Sequence, residues 1–201
     1  MNKLRLLSLA GLAGIALASA ASATPIKVKP PAINATGDVV AYYVFADAAD
    51  TSQLGEVSPT SIPFIFCNHA PLCGTQNTAG DSLDLGVQSG PLVFSLDNMS
   101  QSTTFTSDAP DADGNYHVVI THNYADFGLG ALPAGVPSGP DVTFVAWEDK
   151  TLGQGSDFDY NDLIFAFTNT SSTVPEPITL SILGAGILGL AGLRSRRKRN
   201  V

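Results

Sequence analysis

Basic residues are scarce in the central part of this 201-residue sequence. Between residues 24 and 174 there are only three, Lys27, Lys29 and Lys150, against seventeen acidic residues, so this segment has a formal charge of −14. A surface of this charge repels the phosphates of nucleic acids, which argues against a nucleic acid partner. The same surface attracts cations, but acidity alone does not locate a metal site.

The sequence also lacks the short motifs that mark common enzyme classes. It contains no Gly-x-Ser-x-Gly, His-Glu-x-x-His or phosphate-loop sequence. Its three histidines, His69, His117 and His122, are scattered along the chain. Carboxylate pairs for glycoside hydrolysis stay open, because acidic residues are abundant and their separation in space does not follow from the sequence. We expect a protein without enzyme activity.

Long apolar runs are confined to the two ends of the chain. At the start, Lys3 and Arg5 precede an apolar run at residues 6–18, and Ala-Ser-Ala follows at residues 21–23. This order predicts a secretory signal peptide over residues 1–23, cleaved at its end. An uncleaved anchor is the alternative, but the run is shorter than the ~20 residues that a membrane-spanning helix needs.

Cysteine occurs only twice, at Cys67 and Cys73. Export would place both residues in an oxidising compartment, where such a pair usually closes a disulfide. His69 lies between them, but two cysteines and one histidine are an incomplete ligand set for structural zinc. We therefore expect a Cys67–Cys73 disulfide that ties a loop.

The C-terminal end combines three elements in a fixed order. A polar linker at residues 169–174 leads into Pro-Glu-Pro, an uncharged apolar run at residues 178–193, and a cluster of four arginines and one lysine at residues 194–199. As a helix the apolar run would reach ~24 Å, so it spans a ~30 Å hydrocarbon core only with thinning or snorkelling. The basic cluster should stay cytoplasmic, which places the preceding domain on the outer side. A buried C-terminal helix is the alternative, but it leaves the arginine cluster unexplained.

This tail resembles the PEP-CTERM sorting signal of Gram-negative bacteria. The matching residues are Pro175, Glu176 and Pro177, the glycine-rich apolar run and the terminal arginines. The resemblance implies that residues 175–201 form a sorting tail with a single transmembrane helix, recognised by exosortase and cleaved near Pro-Glu-Pro. It further implies a host that makes extracellular polysaccharide, and a protein held briefly in the inner membrane and then found at the cell surface or outside.

The segment between the two ends has the pattern of a β protein. No window in residues 24–174 sustains a helical period of apolar residues, and glycine, proline, aspartate, asparagine and serine separate short β-type runs. The predicted strands cover residues 39–46, 62–66, 92–96, 116–121, 142–147 and 163–168. This spacing predicts an all-β, antiparallel sandwich, jelly-roll-like, over residues 24–168.

The densest acidic motif lies around the last two predicted strands. Its oxygen-bearing side chains are Glu148, Asp149, Asp157, Asp159, Asn161 and Asp162. Alternation puts the oxygens at 157, 159 and 161 on one side of the chain, and Ca²⁺ takes six to eight oxygen ligands. An EF-hand is excluded, because its required glycine and glutamate are replaced by Asp162 and Thr168. We predict calcium here, the alternative being a turn with solvated acids.

The segment from Trp147 to Phe167 resembles an exported bacterial domain of unknown function that often accompanies PEP-CTERM tails. The matching features are the Glu-Asp pair at 148–149, the glycines at 153 and 155, and Asp-x-Asp-x-Asn-Asp at 157–162. His117 also resembles that family, less specifically. The resemblance implies a β-sandwich and calcium, with no known reaction.

A second acidic cluster precedes the predicted strand at 116–121. It consists of Asp108, Asp111, Asp113, Gly114 and Asn115. Asp-x-Asp-Gly-Asn is compatible with calcium binding and equally with a hairpin turn. Both interpretations stay open at this point.

Together these features favour an exported surface or extracellular-matrix structural protein that binds calcium and is associated with exopolysaccharide or biofilm. The alternative is a calcium-dependent carbohydrate-binding module. Its candidate stacking residues are Trp147, Tyr42, Tyr43, Tyr124 and Tyr160. Aromatic residues in strands are, however, more often part of a core.

Overall fold

The structure is a computed structural model that describes residues 24–172. The predicted signal peptide and the predicted sorting tail lie outside these residues. The described chain forms eleven strands and two short 3₁₀ helices at Tyr124–Phe127 and Leu152–Gln154. The strands are β1 (Ile33–Ala35), β2 (Asp38–Ala46), β3 (Ser52–Ser58), β4 (Ile62–Cys67), β5 (Ser82–Val87), β6 (Gly90–Asn98), β7 (Thr103–Thr106), β8 (Val118–Thr121), β9 (Val142–Trp147), β10 (Leu163–Thr168) and β11 (Thr170–Ser172).

These strands form two sheets. The first sheet has the order β11-β1-β6-β3-β4, with β7 also paired to β6, and the second has the order β5-β2-β10-β9-β8. Every strand pair is antiparallel. The structure therefore confirms the predicted all-β antiparallel sandwich.

The six predicted strands correspond to β2, β4, β6, β8, β9 and β10. The prediction omitted β1, β3, β5, β7 and β11, which are short or interrupted by polar and glycine residues. The first sheet continues to Ser172, because β11 pairs with β1 and Thr170 lies opposite Ala35. The sheet thus runs four residues past the predicted domain end at 168, into the segment predicted as a linker.

The main core lies between the two sheets. Phe94 of the first sheet stacks on Phe167 of the second with ring centroids 4.1 Å apart, and Phe66 stacks on Phe165 at 5.9 Å. All four rings are buried. Burying a side chain of this size contributes about 1.5–3 kcal/mol, so these contacts are a large share of what joins the sheets.

A second apolar cluster covers the outer face of the second sheet. Phe144 of β9 and Ile164 of β10 pack there with Tyr124, Val136 and Phe158 from the connecting loops. Strands β9 and β10 are consequently buried on both faces, at every position but Thr168. This explains why both sequences are continuous apolar runs rather than alternating ones.

Cys67 and Cys73 form a disulfide, as predicted, with their Cα atoms 6.3 Å apart. Cys67 is the last residue of β4, so the bond ties the loop that follows this edge strand. The ring of His69 contacts the backbone oxygen of Ala48, 2.8 Å from Nε2. The loop is therefore held both covalently and through its histidine.

Candidate metal centre

The two halves of the acidic motif meet at one edge of the second sheet. Strands β9 and β10 are antiparallel neighbours in which Trp147 lies opposite Leu163. Glu148 directly follows β9, and Asp162 directly precedes β10. Pairing of the two apolar strands therefore brings Glu148 to the loop of residues 157–162, which we call the acidic loop.

Side chains alternate along the acidic loop between solvent and core. Asp157 and Asp159 are exposed, whereas Phe158 and Tyr160 are only 2% and 5% exposed. Phe158 and Tyr160 both have φ of 55°, in the left-handed region. This conformation costs about 1–3 kcal/mol for a non-glycine residue. Burial of the two rings offsets the cost and keeps the aspartates on the outer side.

Glu148, Asp157 and Asp159 form a three-carboxylate cluster. Each offers one carboxylate oxygen, and these oxygens lie within 4.8 Å of one another. Oxygens that bind one Ca²⁺ at ~2.3–2.6 Å can be no more than about 5 Å apart. The cluster therefore has the dimensions of a coordination shell for a single ion.

Glu148 is the member of the cluster that most needs a partner. Its side chain is 1% exposed, and its Oε2 atom is buried without a hydrogen-bond partner. Burial, followed by the charge of Asp162, raises the pKa of Glu148 to about 8, against hydrogen bonds from Ser156 and the Tyr160 backbone. Leaving a buried carboxylate oxygen unpaired is costly, and a bound cation would remove that cost.

Asp159 is held in place by Asn161. The Asn161 backbone N–H donates to Asp159 Oδ1 at 3.2 Å, and Asn161 Nδ2 donates to Oδ2 at 2.6 Å. Burial raises the pKa of Asp159, and the charges of Asp157 and Asp162 raise it further against these hydrogen bonds. Asn161 thus orients the carboxylate while its N–H groups are engaged with it.

Asp149 and Asp162 lie beside the cluster as a second pair. Asp162 Oδ2 accepts the Asp149 backbone N–H at 2.8 Å. Asp149 is fully buried; its Oδ2 accepts from Ser52 Oγ at 3.0 Å, and its Oδ1 has no hydrogen-bond partner. Burial and the charge of Asp149 raise the pKa of Asp162 to about 6. Of the six predicted ligands, the structure therefore brings Glu148, Asp157 and Asp159 together. Asp149 faces the first sheet instead.

Lys150 compensates a different carboxylate. Its ammonium lies 3.5 Å from Asp50 Oδ2. The same Asp50 oxygen accepts hydrogen bonds from Asn98 and Gln101, each at 3.1 Å. Lys150 is thus paired with Asp50, outside the three-carboxylate cluster.

The second predicted acidic cluster has another structure. Asp111 Oδ1 accepts the backbone N–H groups of Asp113 and Asn115 at 2.9 and 2.8 Å. Its Oδ2 lies 2.9 Å from His117 Nε2. Residues 111–115, the Asp111 turn, are therefore closed by hydrogen bonds of a single carboxylate. The carboxylates of this region do not appear in any three-membered group within 4.8 Å among residues 24–172.

The aromatic residues considered for sugar stacking are mostly part of the cores. Trp147, Tyr43, Tyr124 and Tyr160 are buried, and Tyr42 is half-buried. Four of the five rings therefore cannot present a face to a polysaccharide. The sequence pattern alone could not distinguish these core positions from a binding platform.

Comparison with known proteins identifies the tail. No curated protein and no solved structure matches the chain, and the resemblance of residues 147–167 to an exported domain stays a prediction. None of the helices in residues 24–172 has the length and apolar character that a membrane crossing requires. The model of the PEP-CTERM protein-sorting motif matches residues 173–198. The motif implies export and processing by exosortase, and the chain is therefore a protein that carries a PEP-CTERM sorting tail, as its terminal pattern predicted.

Proposed function

We propose that this chain is an exported, non-enzymatic structural protein of the cell surface or extracellular matrix, and that its sandwich binds one Ca²⁺ ion. The ligands are Glu148, Asp157 and Asp159. The observation that carries the proposal is the buried, unpaired Oε2 of Glu148 in a cluster whose carboxylate oxygens lie within 4.8 Å. The association with exopolysaccharide or biofilm rests on the sorting tail.

The donor set favours calcium over other metals. All three proposed ligands are carboxylates, which suit hard cations, whereas zinc and copper sites normally use histidine or cysteine. Asp157 and Asp159 are exposed, so water can complete an irregular shell of the kind that Ca²⁺ accepts. Mg²⁺ demands near-ideal octahedral geometry and is less suited to such a site.

The ion would act as a clamp. It would join Glu148, at the end of β9, to the acidic loop that precedes β10 and that covers the outer face of the second sheet. Extracellular calcium modules bind with Kd of ~10⁻⁴–10⁻³ M. Binding to the folded form alone stabilises it by about 2.7 kcal/mol at a hundredfold excess over Kd.

Thermal unfolding of the full-length protein in detergent tests the site. We expect the wild type to melt at a higher temperature in millimolar calcium than in EDTA. The double variant Asp157→Ala, Asp159→Ala should lose this difference. The double variant Asp108→Ala, Asp113→Ala removes the same charge from another exposed region and should keep it. Equal melting of the wild type in both buffers, with no heat of calcium binding, would reject the site.

Mass spectrometry of the extracellular form tests the sorting. We expect the protein to begin at Thr24 and to end near Pro-Glu-Pro, between residues 174 and 177. Detection of intact Arg199 in the extracellular form would contradict processing of the tail.

A further inference from the structure

His117 is a buried residue that contacts both Glu148 and the acidic loop. It directly precedes β8 and is 1% exposed. Its contacts reach Glu148 on one side and the acidic loop on the other. His117 is not one of the proposed ligands, so its burial in this position requires another explanation.

The first contact fixes the backbone of Glu148. The Glu148 N–H donates to the backbone oxygen of His117 at 2.9 Å, and the His117 Nδ1 atom lies 3.3 Å from the Glu148 backbone oxygen. Both polar backbone atoms of Glu148 are thus held by one residue. Glu148 lies just beyond the end of β9. These two contacts therefore hold its backbone in place where strand pairing ends.

The second contact fixes the ring of His117 itself. Its Nε2 lies 2.9 Å from Asp111 Oδ2, and its plane stacks on Phe105 with ring centroids 3.9 Å apart. Asp111 is in turn held by the N–H groups of the Asp111 turn. Both partners of the ring nitrogens, the Glu148 carbonyl and the Asp111 carboxylate, can accept hydrogen bonds from N–H groups.

The third contact reaches the acidic loop. The ring of His117 is tilted against that of Phe158, with centroids 5.7 Å apart. Phe158 is the buried residue between Asp157 and Asp159, so the position of its ring determines where the two aspartates leave the loop. One histidine therefore contacts Glu148, which carries one of the three carboxylates, and Phe158, which lies between the two residues that carry the others.

We propose that His117 is a positioning residue that sets the distance between Glu148 and the two aspartates and thereby the calcium affinity. This inference rests on the proposed function. Partners that orient metal ligands typically change metal affinity 10–100-fold when they are removed. A residue that only supported the fold would change the melting temperature and leave the affinity of the folded protein unchanged.

Calorimetric titration of the full-length protein with CaCl₂ tests the proposal. His117→Phe keeps an aromatic ring but removes both nitrogens, and we expect its Kd to rise about 10–100-fold. His117→Gln keeps an N–H donor and should recover part of the affinity. His122→Phe is the matched control, because His122 directly follows β8 and contacts Val142 and Ser172 instead. Its Kd should equal that of the wild type.

Two outcomes separate this proposal from the one on which it rests. Absence of calcium binding by the wild type would reject the metal site and, with it, this role. Calcium binding by the wild type with an equal Kd in His117→Phe would reject the role of His117 alone. If His117→Phe does not fold, Asp111→Ala decides, because it removes the partner of Nε2 and leaves the ring of His117 in place. An unchanged Kd in that variant would overturn the proposal.

Discussion

The acidic loop and the Asp111 turn contain similar residues but treat their charges differently. Both contain alternating aspartates followed by asparagine. In the Asp111 turn, two backbone N–H groups and His117 satisfy the one carboxylate that turns inward. Beside the acidic loop, Glu148 is buried with an unpaired oxygen.

Whether acidic residues can form a metal site therefore depends more on the hydrogen-bond donors around them than on the acids themselves. Burial raises the pKa of Asp111, but the hydrogen bonds from His117 and the turn outweigh this effect and lower it. Burial and neighbouring acids raise the pKa of Glu148 instead. The first carboxylate is stable as an anion without a metal, whereas the second requires either a proton or a cation.

Removal of an aromatic anchor should have the largest effect on this contrast. Phe158→Ala deletes a ring that is 2% exposed and leaves alanine at φ of 55°. We expect the free energy of unfolding to fall by about 3–5 kcal/mol, because a buried cavity forms. Calcium binding should weaken as well, since Phe158 lies between two of the proposed ligands. Urea denaturation and calorimetry measure the two effects.

The matched change in the Asp111 turn is Ala112→Gly, at an exposed position. It should change the free energy of unfolding by no more than about 0.5 kcal/mol. A loss of less than about 1 kcal/mol in Phe158→Ala would mean that the aromatic residues do not anchor the acidic loop.

A smaller effect is expected from the hydroxyl of Tyr160. This group accepts the Ile26 N–H and donates to the Tyr116 backbone oxygen, both at 3.0 Å. Tyr160→Phe leaves the part-buried Ile26 N–H and the buried Tyr116 carbonyl without this partner, which should cost about 1–3 kcal/mol in urea denaturation. Tyr124→Phe removes a hydroxyl from the same apolar cluster and should cost less. Equal losses would show that the bridge from Tyr160 to the N-terminal segment contributes nothing of its own.

The sequence was sufficient to predict which acidic residues come together at the candidate site. The apolar runs of β9 and β10 are long and uninterrupted, and the acids directly follow one strand and precede the other. Pairing of the two strands then brings Glu148 to the acidic loop without further information. The alternation of Asp157, Phe158, Asp159 and Tyr160 likewise predicts that the two acids share a side.

The division of roles within the motif did not follow from the sequence. Asp149 faces the first sheet because Ser52 of β3 receives its carboxylate, and β3 itself was not predicted. Gly55 and Glu56 interrupt the apolar pattern of this strand in the sequence. In the structure the carboxylate of Glu56 is buried, where it accepts hydrogen bonds from Thr60 and Gln88. The contacts of His117 depend on long-range packing. Its only signal in the sequence was a less specific resemblance to the exported domain, and the prediction placed it inside the strand at 116–121.

Glu148 and Asp111 also differ in the direction of their pKa shifts. In the absence of a bound ion its pKa is about 8 in the folded protein, against an ordinary value of 4.5. Asp162, at about 6 against 3.8, is shifted in the same direction. At pH values between the ordinary and the raised pKa of each group, the folded state therefore binds more protons than the unfolded state. Asp111, whose pKa is lowered, is shifted in the opposite direction.

The smallest predicted effect is the pH dependence of stability in EDTA between pH 7 and 8. The raised pKa of Glu148 stabilises the fold fully below its unfolded value, and this contribution is lost as pH rises through about 8. The free energy of unfolding should therefore fall, by at most about 1.4 kcal/mol per pH unit for one group. Urea denaturation in EDTA measures the slope.

Glu148→Gln should flatten it, whereas Asp111→Asn should not, because the lowered pKa of Asp111 affects stability only in acid. Saturating calcium should also reduce the slope, since the ion replaces the proton. A slope that is the same in the wild type and in Glu148→Gln would show that the buried glutamate is not the group that distinguishes the acidic loop from the Asp111 turn.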